Sequence, residues 1–186
     1  VAGIFVDGDG HNSIVLAAGA NQALSTTHID SASTAISSAA LLLCQLETPF
    51  DTVVHAITLA KQHGIPIVFN PAPMRSLDDQ LLRQIDYLII NETEASQLSG
   101  VTVSSNETAM NAAKILHTRG SRIVLITLGA EGVVISQDYS QDADKKMVSH
   151  IKTPHAIGQP KPLVDAKQTA EISSVFIPAI KVKAID

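Results

Sequence analysis

"YLIINETEASQL", Tyr87 to Leu98, joins two kinds of structure with no spacer between them. Tyr87-Leu88-Ile89-Ile90 is an uninterrupted apolar run, the pattern of a strand buried on both faces in a parallel sheet. Asn91 then reads as a helix N-cap, and Glu94, three residues on, is spaced to return a bond to the backbone of the cap. A strand that hands over directly to a helix is the repeating step of an α/β fold. Ligands of such folds lie just beyond the carboxyl ends of the strands, where this handover sits.

The same step recurs on both sides. "ALLLCQLE" (40–47) reads as a buried strand. After it, Thr48-Pro49 reads as an N-cap with proline at the first helical position, followed by Asp51 in the first turn. That helix carries Val53, Val54, Ile57 and Ala60 and stops at Gly64. "IPIVFNPAP" (65–73) is a further strand and "SLDDQLLRQI" (76–85) a short helix. "NETAMNAAKILHTRG" (106–120) is a helix opened by a Ser104/Glu107 capping box and closed by Gly120. "RIVLITLG" (122–129) and "GVVIS" (132–136) are two strands around Gly129-Ala130-Glu131-Gly132. Strands separated by helices of this length predict parallel pairing, right-handed crossovers and helices on the faces, a doubly wound α/β sheet.

Three segments depart from the rhythm. "GIFVDGDGHNSIVLA" (3–17) places two apolar runs around Asp7-Gly8-Asp9-Gly10 and predicts a β-hairpin. "GANQALSTTHIDSASTAISSA" (19–39), with Leu24, Ile29 and Ile36 loosely spaced, predicts a helix on weak periodicity. Residues 137–174 carry mixed charge and prolines without a sustained period and predict a long surface insertion. "VFIPAIKVKAID" closes the chain, with Val182 and Ile185 assigned to a last strand.

Composition narrows the function. The chain has 186 residues, 45% hydrophobic and 17% charged, which fits one soluble globular domain or a large piece of one. A net charge of −5 with no Lys/Arg cluster, and only 3% aromatics, leave neither a basic face nor a stacking platform for nucleic acid. No apolar stretch approaches the roughly 18 residues of a membrane span. The single cysteine, Cys44, reads as a small buried hydrophobe and points to a reducing, cytoplasmic compartment. The first residue is not Met and the ending is abrupt, so the sequence is expected to be a fragment. The sequons at Asn91 and Asn106 would matter only in a secreted protein.

The residues just past each apolar run carry the candidate chemistry. Asn91 and Glu94 have a capping-box reading. They also have a ligand reading, in which the positive end of the helix holds an anion or a metal-bound phosphate and Glu94 positions Mg²⁺ through water. The two are compatible. Thr127-Leu128-Gly129-Ala130-Glu131-Gly132 is either a glycine-rich hairpin turn or a loop whose missing side chains let a nucleotide lie against backbone, with the Thr127 hydroxyl on a phosphate. It is not a Walker loop, since no Gly-Lys-Ser/Thr follows. Glu47 ends a strand, where a buried unpaired carboxylate would be costly; it is expected to face a cleft, accepting bonds from a polyol or forming a salt bridge. Asn70-Pro71-Ala72-Pro73 reads as a rigid strand exit without chemistry. The seven histidines show no metal-ligand spacing, and there is no Gly-x-Ser-x-Gly or Gly-x-Gly-x-x-Gly.

Taken in order, "AGAN", "CQLE", "NPAP", "NETEA", "VLITLGAEG" and "KVKAID" resemble the middle of the ribokinase-like PfkB carbohydrate kinases, over essentially the whole chain except 137–174. The resemblance implies a three-layer α/β/α sandwich, with a mostly parallel sheet and a small β-sheet lid, that is incomplete in this chain. Residues 1–18 would be lid strands that also contribute to a homodimer, and 19–186 would be part of the kinase domain. It implies ATP-dependent phosphorylation of D-ribose, with another sugar or a nucleoside as the alternative substrate. A truncated, non-catalytic binding module is the alternative outside enzymology.

By resemblance Glu47 contacts the sugar and Asn91 lies near the ATP phosphates. Glu94 serves Mg²⁺ and phosphate, and Thr127, Leu128, Gly129, Ala130, Glu131 and Gly132 form the nucleotide loop. Asp186 helps bind an activating monovalent cation, usually K⁺. The family's Gly-Ala-Gly-Asp signature, whose aspartate is the general base, does not occur in the sequence. No catalytic residue is therefore assigned here, and residues 1–186 alone are expected to have no kinase activity.

Overall fold

The computed structural model describes residues 2–8, 12–141 and 172–180. Strands β1 (Ala2–Val6) and β2 (Asn12–Leu16) pair antiparallel, Ala2 opposite Leu16, as a separate two-stranded sheet. The other six strands form one sheet in chain order: β3 (Leu42–Cys44), β4 (Ile67–Phe69), β5 (Tyr87–Asn91), β6 (Ile123–Thr127), β7 (Gly132–Asp138) and β8 (Ile172–Pro178). β3 to β6 run parallel, and β7 and β8 are added antiparallel.

Each parallel strand is laid on the same side of the one before it, so right-handed crossovers place their helices on one face. Along that face Phe69, Leu88, Ile90, Val124, Ile126 and Val134 are at most 1% exposed. They pack against α3 (Phe50–Gln62) through Ile57 and Ala60, α5 (Glu92–Ser99) through Ala95, and α6 (Asn106–Thr118) through Ala112 and Leu116. α1 (Thr26–Ser31) and α2 (Ser33–Ser37) lean on α3, and the short α4 (Asp79–Leu82) adds Leu81 and Leu82 to the core. The expected α/β class holds. Of the three layers expected, the described residues build two, and their parallel strands are wound in one direction rather than two. On the other face Ile89, Leu125, Ile135 and Val175 stand side by side in register and remain half-buried or exposed.

Several local expectations are corrected. β3 is an edge strand, not a buried one: Leu41 and Leu43 are 48% and 66% exposed, because the sheet ends there and no described helix covers that face. α3 starts at Phe50 with Pro49, not Thr48, at the N-cap and no side-chain cap bond. The capping box of α6 is Ser105 with Thr108, one residue later than Ser104/Glu107. The expected helix over 19–39 breaks into a 3₁₀ turn (Gly19–Ala23), α1 and α2. Its serines compete for the backbone, with Ser31 Oγ donating to Thr27 O and Ser38 Oγ to Thr34 O, which weakens helix propagation. The insertion expected over 137–174 is strand at both margins, since β7 runs through Asp138 and β8 begins at Ile172. Residues 142–171, and Val182, Ile185 and Asp186, lie outside the described residues.

Candidate functional site

Asn91 is both the last residue of β5 and the N-cap of α5. Its Oδ1 accepts the Glu94 N–H at 2.9 Å, and its own N–H donates to Glu94 Oε2 at 2.9 Å. The reciprocal cap read from the spacing is formed. Glu94 is only 7% exposed, yet it borders a cleft of about 430 Å³ at the carboxyl ends of β3 to β6. Gln45, Asn70, Asn91, Glu94 and Thr127 supply the polar lining of that cleft. Thr127 faces Asn91 directly across β5 and β6, and its hydroxyl donates to the Ile90 carbonyl at 3.4 Å. Residues from four strand ends thus meet at the positive pole of an eight-residue helix, a setting that favours an anion.

The 127–132 loop turns through a 3₁₀ segment, Gly129–Glu131, closed by Glu131 N–H to Leu128 O (2.9 Å) and Leu128 N–H to Gly132 O (2.8 Å). Gly129, Ala130 and Glu131 are exposed, whereas Leu128 is 3% exposed and anchors the loop in the core. Gly129 has a φ of +52° and open space where a Cβ would be. Gly132 differs from its expected reading. With φ at +137°, its missing side chain makes room for β8, since a Cβ there would sit 2.1 Å from Ile177 O. That space is filled by the chain's own backbone.

Glu47 is exposed and lines a second cleft, about 340 Å³, with Ala2 and Leu16 of the hairpin, Asn21 and Gln22 of the 3₁₀ turn, and Pro73. It makes no ion pair among the described residues and opens to the cleft, as the cleft reading expects. The exits of β3 and β4, which separate the two clefts, are tied by Leu46 N–H to Ala72 O at 2.9 Å.

Asn70, to which the sequence alone assigned nothing, is part of this architecture. Its N–H donates to Cys44 O on β3 (3.1 Å), so the next backbone donor of β4 would point the other way, to β5. That next residue is Pro71, which has no N–H. The Ile89 carbonyl of β5 accepts the Asn70 side chain instead, Nδ2 at 2.9 Å. The Asn-Pro pair at a strand end was the available signal.

Among the described residues no three His, Cys, Asp or Glu side chains gather as a metal cage. The one carboxylate, with amide and hydroxyl oxygens around it, suits a hard divalent cation that keeps most of its waters and takes its remaining ligands from phosphate. His117 is buried and structural, its Nδ1 2.7 Å from Ser121 O and its Nε2 2.8 Å from Ser136 Oγ.

A model of the pfkB family carbohydrate kinases matches residues 1–156. The chain is 46% identical over 126 residues to a ribokinase of Haemophilus influenzae, covering 68% of this chain and 41% of that protein. It is 38% identical over 135 residues to a deoxyribokinase of Salmonella typhimurium, covering 72% and 44%. The structure of Arabidopsis thaliana ribokinase complexed with ribose and ATP superposes with a TM-score of 0.61 at 29% identity, over 72% of this chain and 44% of that one. The chain spans less than half the length of these relatives. With the family matched over most of its residues and the fold shared with a solved relative, the chain belongs to the pfkB family of carbohydrate kinases.

Proposed function

We propose that the whole protein to which these residues belong transfers the γ-phosphoryl group of ATP to the terminal hydroxyl of D-ribose. The observation that carries the reading is the meeting of Asn91, Glu94 and Thr127 in one cleft at the α5 N-terminus, with Glu47 open to a separate cleft under the hairpin. Two subsites of different chemistry, one suited to an anion and one to hydroxyls, are what phosphoryl transfer to a sugar needs. The H. influenzae ribokinase and the ribose- and ATP-bound A. thaliana structure support the substrate pair.

In this reading Glu47 accepts hydrogen bonds from sugar hydroxyls. Asn91 and the α5 amides hold phosphate oxygens, Thr127 turns its hydroxyl from the long 3.4 Å contact with Ile90 O to donate to them, and the Leu128–Gly132 backbone lies along the nucleotide. Glu94 orients water around Mg²⁺, which when bound would neutralise charge on the transferring group. K⁺ is assigned to Asp186, which lies outside the described residues, and the general base is assigned beyond it. The hairpin serves as lid and as homodimer contact: Ile4, Phe5, Val6, Ile14, Val15 and Leu16 are 55–66% exposed, more apolar surface than an isolated two-stranded sheet leaves in water. The compartment is the cytoplasm.

The test is ADP release with ribose, Mg²⁺ and K⁺, using protein extended beyond Asp186. Ribose-dependent turnover is expected, and its absence overturns the reading. Residues 1–186 alone are expected to show none, since losing a base and an anion hole worth about 10²–10³-fold each is crippling; steady ribose-dependent ADP production by that piece would refute this. The Salmonella relative favours one second reading, deoxyribose as acceptor, which the same assay separates by comparing the two sugars.

A further inference from the structure

We propose that Asn70 is a positioning residue of the phosphate-end cleft: its side-chain amide takes the place of the backbone N–H that Pro71 lacks, holds the Ile89 carbonyl, and fixes the β5 end that presents Asn91 and Glu94. The assignment goes beyond the roles given to the strand-end residues above, and it rests on reading that cleft as the nucleotide's phosphate site.

The regular β4–β5 ladder ends early, at Phe69 opposite Leu88. β5 nevertheless continues to Asn91, paired on its other side with β6 through Asn91 opposite Thr127. Without Asn70, the last residues of β5 would be held from one side only at the point where α5 begins. The side chain closes that gap with Nδ2 donating to Ile89 O at 2.9 Å, two residues before the N-cap. The backbone of Asn70 is itself clamped, N–H to Cys44 O at 3.1 Å and C=O accepting from Ala72 N–H at 2.8 Å, so the amide is presented from a rigid base. Because Nδ2 is committed to Ile89, the planar amide fixes Oδ1 as well. Oδ1 has no protein partner among the described residues, is not sealed off as a buried unsatisfied atom, and belongs to a residue lining the cleft beside Asn91 and Glu94. It is an acceptor set at a defined place, suited to an O–H donor such as a water shared with a bound phosphate group.

A double substitution isolates this role. Asn70→Ala removes the bond, and adding Pro71→Ala restores a backbone N–H aimed at Ile89. In the labelled 1–186 chain, amide hydrogen exchange at Asn91 and Glu94 is expected to rise about tenfold in Asn70→Ala, the worth of one such bond, with Val124 and Ile126 unchanged. In Asn70→Ala/Pro71→Ala it is expected to return to within about threefold of the parent, while Pro71→Ala alone, which keeps the Asn70 bond, stays near the parent. No change in Asn70→Ala, an equal rise at Val124 and Ile126, or no recovery in the double variant would overturn the assignment. Titration with Mg·ADP supplies the second arm: about tenfold weaker binding in Asn70→Ala, recovered in part in the double variant, which restores the tie to β5 and not Oδ1. A parent chain that binds no Mg·ADP would sink the phosphate-site reading, while the exchange data would still decide the role of Asn70.

Discussion

Glutamine at position 94 separates the two duties of Glu94. The E94Q side chain keeps its length and one carbonyl oxygen, so the 2.9 Å bond from the Asn91 N–H can persist, and the reverse bond from the Glu94 N–H to Asn91 Oδ1 is untouched. What disappears is the negative charge at the first turn of α5. Charge assistance makes such a bond stronger by about 1 kcal/mol than a neutral one, and the helix-end interaction adds about 0.3–1 kcal/mol. Together these give a stability loss of about 1–2 kcal/mol, or about 2–8 °C in melting temperature for a chain of this size. E94A also strands the Asn91 N–H and should cost about 1–3 kcal/mol more.

Ligand binding should respond with the opposite weighting. A carboxylate that orients a hydrated Mg²⁺ is worth about 10–100-fold in affinity, so E94Q should weaken Mg·ADP binding by at least tenfold despite its mild effect on folding. For ADP without Mg²⁺ the sign reverses: the charge of Glu94 repels the bare phosphates, and E94Q should bind at least as well as the parent. Thermal melts and calorimetric titrations with and without Mg²⁺ read both quantities. Unchanged Mg·ADP affinity alongside the melting shift would leave Glu94 as a cap only, and equal weakening with and without Mg²⁺ would rule out a metal-linked role.

At Gly132 an alanine Cβ would lie 2.1 Å from Ile177 O at a φ of +137°, and left-handed strain plus forced displacement of β8 should cost about 3 kcal/mol in urea denaturation; a loss below about 1 kcal/mol would show that β8 is free to move aside. Burial pushes the Cys44 thiol from 9.0 up to about 12. Alkylation at pH 8 should therefore be far slower in the folded chain than in urea, and equal rates would contradict its burial. Because the folded value lies above the unfolded one, the contribution of this thiol to stability is complete below about pH 9 and is lost as pH rises toward 12. Ile4 and Ile14 oppose each other in the hairpin and are 63% and 55% exposed, so I4S/I14S should convert dimer to monomer in sedimentation without lowering the melting temperature of the α/β body. A parent chain that is already monomeric, or a variant that still dimerises, would remove the hairpin from the interface.

The parts of the fold legible in the sequence are those where one local rule and the tertiary context agree. Leu88 and Ile90 are apolar because that face of the central strand β5 packs on the helices, Tyr87 and Ile89 on the other face are half-buried, and Asn91 with Glu94 caps α5 through groups three residues apart. Where context decides alone, the sequence misleads. "ALLLCQLE" has the composition of a buried strand, yet Leu43 is 66% exposed because β3 ends the sheet beside a face the described helices do not cover. The 19–39 segment has helical propensity, but its serines bond carbonyls three or four residues back and break the run. Gly132 is a glycine because β8 crosses it, a partner 45 residues away in the chain that no local pattern announces.

Asn70 shows the limit most sharply, since its role depends on three facts that become connected only in space. Its own N–H points to β3, which fixes by alternation that the next donor faces β5. That donor is missing because residue 71 is proline, and the orphaned acceptor, Ile89 O, belongs to a strand 19 residues on. Read locally, Asn-Pro is a strand exit. Read with its neighbours, the proline that ends β4 creates a vacancy in the ladder, and only a side chain with a donor at the length of asparagine's, set on the residue before it, can fill that vacancy while leaving an acceptor at the edge of the cleft. A polar residue directly before proline at the carboxyl end of a central parallel strand should therefore be examined as ladder repair first and as loop second, and where it borders a ligand cleft the repair and the site are one arrangement.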